Sequence, residues 1–236
     1  MRFAAVLALA ASAVLANPIA VPAAEAEAEA GAGAGAGTSL AARQLTDAVA
    51  NELTSGPCRD VIFIFARGST EIGNMGTIVG PGVADQLKKR LGAGRVAVQG
   101  VNYAALISTN YLPGGTDAVS VAAMKTLFNT ADTKCPDSQI VVGGYSQGGA
   151  VTHRAMEDLS SGVKSKIQAV VLFGDTQKLR DGNQVPGFPT SQTKFFCANG
   201  LDQVCNGVLT AAVLAPHLSY GLNAAEAGDW LADRVN

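Results

Sequence analysis

The segment Gly144-Tyr145-Ser146-Gln147-Gly148 sets a serine between glycines two positions before and two after it, following the apolar run 139–143 and preceding a helical pattern. A serine hydroxyl is a weak nucleophile, but on a strand-to-helix turn its Oγ stands clear of the backbone with the helix N-terminus beneath it. The small flanking residues permit the sharp turn. The first helical amide, Gln147 N–H, then faces any anion formed at the serine. Gly-x-Ser-x-Gly also occurs in phosphate-binding or purely structural turns; the order of strand, turn and helix favours a nucleophile here.

Ser146 needs a base to take its proton, and the chain holds two histidines. His153 lies seven residues further along the same predicted helix. That is about 10 Å along the axis at a rise of ~1.5 Å per residue, so His153 reads as a helix-surface or packed histidine. His217, in Ala215-Pro216-His217-Leu218, follows the last predicted strand, where the order serine, acid, histidine places the base. Asp175, Asp181 and Asp202 are the acids to weigh. Asp175 ends a strand and Asp181 sits in a polar loop, and either can simply cap a turn. Asp202 lies between Cys197 and Cys205, where a disulfide would restrain its carboxylate, and is the favoured acid.

These residues need a frame. From Cys58 onward, short apolar or β-branched runs at 60–66, 95–101, 139–143, 167–173 and 193–196 alternate with amphipathic stretches at 80–91, 116–131, 147–162 and 221–235. That alternation predicts an α/β domain, a three-layer α/β/α sandwich on a parallel sheet of about five strands. In such sheets sites form where strand C-termini meet the following helices. The chain's 236 residues suit one domain.

Met1-Arg2, the apolar run from Phe3 to Leu15 and the small-residue site before Ala16 have the layout of a secretory signal peptide, so residues 1–16 are expected to be removed and the protein secreted. The run is shorter than the roughly 20 residues of a membrane span, so no integral membrane segment is expected. Residues 17–38 are almost entirely Ala, Glu, Gly and Pro, too small and polar for a core. A pro-segment or flexible leader is expected over 17–45 and the folded domain over 46–236. The formal charge of −2 comes mostly from the leader's glutamates, and the rest is about neutral, which argues against a nucleic-acid partner. Four cysteines in an exported chain point to two disulfides, with three possible pairings. A local Cys197–Cys205 loop is the simplest, leaving Cys58 with Cys135. No Cys-x-x-Cys occurs, so a zinc site is not expected.

Taken together, the segments from about Cys58 to the C-terminus resemble the fungal cutinases. The motifs are Phe65-Ala66-Arg67-Gly68-Ser69-Thr70-Glu71, Gly144-Tyr145-Ser146-Gln147-Gly148, Asp202-Gln203-Val204-Cys205 and Ala215-Pro216-His217-Leu218-Ser219-Tyr220-Gly221. The resemblance implies a lidless α/β-hydrolase with the triad Ser146, Asp202 and His217, and it agrees with both disulfides. It also implies an oxyanion hole from Ser69, by its backbone N–H and hydroxyl, with Gln147 N–H, and a role for Asn110 in orienting the Ser69 hydroxyl. Residues Leu209, Val213 and Leu214 would border an acyl groove opposite Leu106 and Ile107. Two departures bear on that groove: the 197–205 loop is one residue longer than the commonest form, and the stretch from Cys205 to His217 about two longer. The implied activity is serine ester hydrolysis, on a polyester such as cutin and on soluble esters, by a cofactor-free monomer. The alternatives are an esterase for short acyl groups, such as acetylxylan esterase, and a non-catalytic secreted binding protein.

Overall fold

The computed structural model describes residues 48–236, so the expected signal peptide and nearly all of the leader lie outside the described residues. The chain runs α1 (Glu52–Ser55), β1 (Val61–Ala66), α2 (Gly80–Leu91), β2 (Val96–Gly100), α3 (Ala118–Lys134), β3 (Gln139–Tyr145), α4 (Gln147–Glu157), α5 (Ser161–Lys166), β4 (Ile167–Phe173), β5 (Thr193–Phe196), α6 (Ala215–Leu218) and α7 (Ala224–Ala232), with 3₁₀ turns in the connections. The strands form a parallel five-stranded sheet in the order β2-β1-β3-β4-β5.

The central strands are apolar along nearly their whole length because both faces are covered, with Gln139 and Gln168 at the N-terminal ends of β3 and β4 as the exceptions. Alternate side chains enter opposite cores. Ile62, Ile64, Ile140, Val142, Val170 and Leu172 join one, which Met124, Leu127 and Phe128 of α3 and Val151, Ala155 and Met156 of α4 close. Val61, Phe63, Phe65, Val141, Val171 and Phe173 join the other, closed by Val83 and Leu87 of α2 and by Ala227 and Leu231 of α7. This is the three-layer α/β/α arrangement.

α2 has the limits expected from sequence, β1, β2 and β3 differ from theirs by one or two residues, and the other expected helices differ more. The stretch 147–162 is two helices. α4 ends at Glu157, and Ser160 caps α5 by accepting a hydrogen bond from Val163 N–H at 3.3 Å. α3 starts after Asp117, whose carboxylate accepts from Ser120 N–H at 2.9 Å and from the Ser120 hydroxyl at 2.8 Å. Cys58 bonds Cys135, and Cys197 bonds Cys205.

Strand register aligns the C-terminal ends. Ala66 lies beside Gly144, Tyr145 beside Phe173, and Phe173 beside Phe196. Four strands therefore end in one row, and the segments beginning at Arg67, Ser146, Gly174 and Cys197 leave the sheet side by side.

Candidate active site

The turn after β3 is held tightly. Ser146 has φ 54° and ψ −118°, in the positive-φ region that L-residues occupy only when their surroundings hold them there. Its N–H donates to Phe173 O and its C=O accepts from Gly149 N–H, both at 2.9 Å. The glycines are required by contact: a Cβ on Gly148 would lie 2.0 Å from Ala66 O, and one on Gly144 would lie 2.7 Å from Gly148 O. Ser146 is 8 % exposed, opening into a groove of about 560 Å³. The Gln147 N–H is among the first amides of α4, which have no intrahelical acceptor.

His217, on α6, lines the same groove. Its Nδ1 is 2.7 Å from Asp202 Oδ2. Asp202 is buried within the short disulfide loop, and its Oδ1 accepts from Val204 N–H at 3.0 Å. The Tyr220 hydroxyl donates to Oδ2 at 2.6 Å. Burial alone would raise the Asp202 carboxyl, but hydrogen bonds from His217 and Tyr220, the histidine's charge and the Val204 amide together hold it below the usual carboxylate range. Whenever the imidazole is neutral, an ionised Asp202 fixes its tautomer, with the proton on Nδ1 and the lone pair on Nε2. The imidazole also stacks on Tyr145 at 5.1 Å between ring centroids, and the Tyr145 hydroxyl donates to His217 O at 2.9 Å. Gly174 makes room for the pair, since a Cβ there would sit 2.5 Å from His217 Cε1 and 2.8 Å from Asp202 Oδ2.

Ser69 enters the groove from the turn after β1. Asn110 Nδ2 donates to Ser69 Oγ at 2.9 Å and to Ile107 O at 3.0 Å. Because the Ile107 carbonyl can only accept, it fixes which way the amide points; Ser69 Oγ must then accept from Asn110, which leaves its own proton for another acceptor. Glu71 holds this turn by accepting from Gly68 N–H at 2.8 Å, Thr77 N–H at 2.9 Å and Ile78 N–H at 3.0 Å. Buried Arg67 donates to Glu71 O and Tyr103 O. The Gln147 side chain donates to Leu106 O at 2.8 Å and Thr109 Oγ1 at 2.7 Å, tying the Ser146 turn to the turn that carries Asn110.

Of the groove residues expected, Ile107, Leu209 and Val213 line the cavity, joined by Tyr111, Thr176, Val204 and Leu218. Leu106 and Leu214 are about half exposed and stand outside the lining. Sequence reading passes over Glu71, Tyr145, Gly174 and Tyr220. Glu71, Tyr145 and Tyr220 lie within the 65–71, 144–148 and 215–221 motifs, so position alone could have flagged them; Gly174 matters only through His217 and Asp202, distant in sequence. A second hollow of about 740 Å³ along β5 and the 197–201 turn contains none of Ser146, Asp202 or His217. Among the described residues no cluster of His, Cys, Asp or Glu is arranged to hold a metal ion.

Comparison with known proteins agrees with this architecture. A probable cutinase 3 of Neosartorya fischeri is 53 % identical over 79 % of this chain and 85 % of that protein. A cutinase of Pyricularia oryzae is 47 % identical over 83 % of this chain and 90 % of the relative. Among solved structures, a Trichoderma reesei cutinase in complex with a phosphonate inhibitor superposes with a TM-score of 0.68 at 33 % identity, covering 85 % of this chain and 92 % of that one. An acetylxylan esterase at 20 % identity and a TM-score of 0.57 shares the fold. Residues 57–235 match the family described as Cutinase, and with relatives this similar the chain belongs to the cutinase family of ester hydrolases.

Proposed function

We propose that this protein is a secreted serine esterase that hydrolyses cutin and soluble short- to medium-chain esters through an acyl-enzyme on Ser146. The observation that carries the proposal is the buried His217–Asp202 pair opening onto the same groove as Ser146, with an oriented Ser69 hydroxyl on its wall. In the reaction, Ser146 Oγ attacks the ester carbonyl carbon while His217 Nε2 takes the hydroxyl proton. Asp202 stabilises the imidazolium without accepting the proton itself. The tetrahedral oxyanion receives hydrogen bonds from the Ser69 N–H and hydroxyl and from Gln147 N–H. Loss of one such donor typically raises a barrier by about 2.7–4 kcal/mol. The imidazolium then protonates the leaving alkoxide, and the C–O bond breaks. Water, deprotonated by His217, attacks the acyl-enzyme, and Ser146 regains its proton as the acid departs.

Ile107, Leu209, Val213 and Leu218 give the groove apolar walls suited to an acyl chain, and exposed Tyr111, Val213 and Leu218 at its mouth suit contact with an insoluble polyester. Two disulfides fit an oxidising compartment, and no described helix is long and apolar enough to cross a membrane. Export by the 1–16 signal peptide, loss of the leader and action as a monomer complete the reading.

The test compares the purified mature protein with Ser146→Ala on acetyl, butyryl and longer p-nitrophenyl esters and on cutin. Hydrolysis by the parent, greatest above the acetyl ester, and loss of about 10⁴-fold or more in the variant are expected. Equal hydrolysis by the two proteins would refute the mechanism, and activity confined to acetylated xylan would refute the cutin assignment.

A further inference from the structure

The nucleophile helix carries a second histidine that the reaction does not use. His153 on α4 has no exposed surface, yet both its ring nitrogens face carboxylates. Nδ1 lies 2.7 Å from Asp181 Oδ2 in a hydrogen bond. Nε2 lies 2.9 Å from Asp175 Oδ2, an ion-pair contact off the line of a hydrogen bond. A neutral imidazole has one N–H and one lone pair, so it would turn a lone pair on one of these oxygens. Only the imidazolium turns an N–H toward both carboxylates. Fully buried, the ring is not presented to a substrate, so it is not a second active centre.

One of its partners, Asp175, adjoins the active site. Asp175 follows Gly174, against which His217 and Asp202 pack, and precedes Thr176, which lines the acyl groove. Asp175 Oδ1 accepts from Gln177 N–H at 2.9 Å. Buried Gln177 in turn fills the space at Gly115, and the Arg154 side chain lies against Gly114, both in the turn next to Asn110. Arg154 also bonds Asp181.

We propose that His153 is a positioning residue for ester hydrolysis: as an imidazolium between Asp175 and Asp181, it fixes the 174–181 segment to the nucleophile helix, setting the groove wall at Thr176 and the seat of the His217–Asp202 pair. The proposal rests on the triad assigned to ester hydrolysis. The charged groups that face it are Asp175 and Asp181 of the following segment; Arg154 on α4 pairs with Asp181 and, at 3.0 Å, with Glu157, while Lys178 turns to Asn183 at 2.8 Å. β5 presents the Phe195 ring, 6.3 Å away. On α3, Lys125 turns instead to Asp158, at 3.4 Å. Burial opposes the charge on His153, but Asp175 and Asp181 outweigh it and lift the group to about 9. A raised value means the cation's stabilisation is complete below the ordinary histidine range and is lost as pH rises through about 9. The clamp therefore holds at neutral pH and releases in alkali.

The experiment uses the mature protein, with His153→Gln and Asp181→Asn as variants. Imidazole resonances are followed by NMR from pH 5 to 10, with the His153→Gln spectrum assigning the two histidines, and kcat and KM are measured on butyryl and decanoyl p-nitrophenyl esters over the same range. In the parent, His153 is expected to stay protonated past pH 8, and the decanoyl-to-butyryl ratio of kcat/KM to shift reversibly near pH 9. Folded His153→Gln should lose about tenfold in kcat/KM at pH 7, the scale of a modest misplacement, and show no alkaline shift in the ratio. If that variant does not fold, Asp181→Asn serves, with its alkaline transition moved to lower pH. The proposal is overturned if His153 titrates below pH 7.5 in the parent. It is overturned equally if a folded variant melts earlier but keeps the parent's kcat/KM and pH profile, which is a merely structural role. Failure of the triad assignment would show separately, as activity in Ser146→Ala.

Discussion

At the level of single residues, the acid of the site is shaped as much by Tyr220 as by His217. Both donate to one oxygen of Asp202, and the phenol is fully buried. Tyr220→Phe keeps the ring and its edge contact with Phe173, 5.8 Å between centroids, and deletes the donor alone. A hydrogen bond to a charged group contributes about 1.5–3 kcal/mol, so the variant should lose stability of that order at pH 7. The sign with pH follows from the depressed Asp202 carboxyl. Its contribution is present above the ordinary carboxylate value and fades as pH falls through the depressed one, so the gap between parent and variant should begin to narrow below about pH 4. Urea unfolding at pH 7 and below pH 4 measures this, and an equal gap at both would contradict it. Expected alongside is a severalfold drop in kcat with KM little changed, because the base is held less firmly in the transition state. Tyr220 stands in plain sight in the sequence, but the oxygen it serves lies 18 positions away, and neither glycine spacing nor apolar period encodes that pairing. Ser146 is legible because the small residues its turn requires, Gly144 and Gly148, lie two positions to either side, even though the backbone that excludes a Cβ at Gly148 is that of Ala66, far off in sequence.

Among the elements, strands are read more closely than helices, and the reason is physical. A strand buried on both faces shows as a nearly unbroken apolar run, and the limits of β4 coincide with the residues expected from sequence; those of the partly buried edge strand β5 do as well. Helix ends are set by caps, which a period of apolar residues does not mark. The helical pattern through 147–162 hides the break at Asp158 and Leu159, although Ser160 before Val163 carries the cap signal. The groove wall is harder still. Whether Leu106 or Ile107 faces the cavity depends on the phase of a 3₁₀ turn at 107–111, and Ile107 takes that place. Caps can be tested apart from chemistry. Asp117 makes both its bonds within the first turn of α3, which bears no catalytic residue. Asp117→Ala should cost about 1 kcal/mol, with a range of roughly 0.5–2. A lower urea midpoint with unchanged slope and unchanged kcat on a butyryl ester is the expected result, whereas a matching loss of kcat would mean that α3 also positions the site.

Across the whole molecule, the two disulfides divide the work of holding the fold and holding the site. Cys58–Cys135 joins residues 77 apart, clamping the approach to β1 to the end of α3. Cys197–Cys205 joins residues only 8 apart. On chain-entropy grounds the long loop stabilises by about 4.5 kcal/mol and the short one by about 2.6. Their places in the site run the other way. The long bridge lies beyond the N-terminal edge of the sheet, where Asp60 O accepts from Gln139 N–H at 2.9 Å, at the opposite end of β1 and β3 from Ser146. The short loop carries Asp202 itself, and Cys205 is buried beside Val204, whose amide holds Asp202 Oδ1. Replacing Cys58 and Cys135 together with serine should therefore lower the urea midpoint more, with kcat on a butyryl ester near the parent value wherever the protein remains folded. Replacing Cys197 and Cys205 should lower the midpoint less and kcat more, because a carboxylate free to move no longer fixes the imidazole tautomer. Measuring both quantities on both double variants decides the matter. If the long-bridge variant shows the larger loss of kcat at pH 7 while still folded, then the assignment of Asp202 as an acid held by its disulfide loop is wrong.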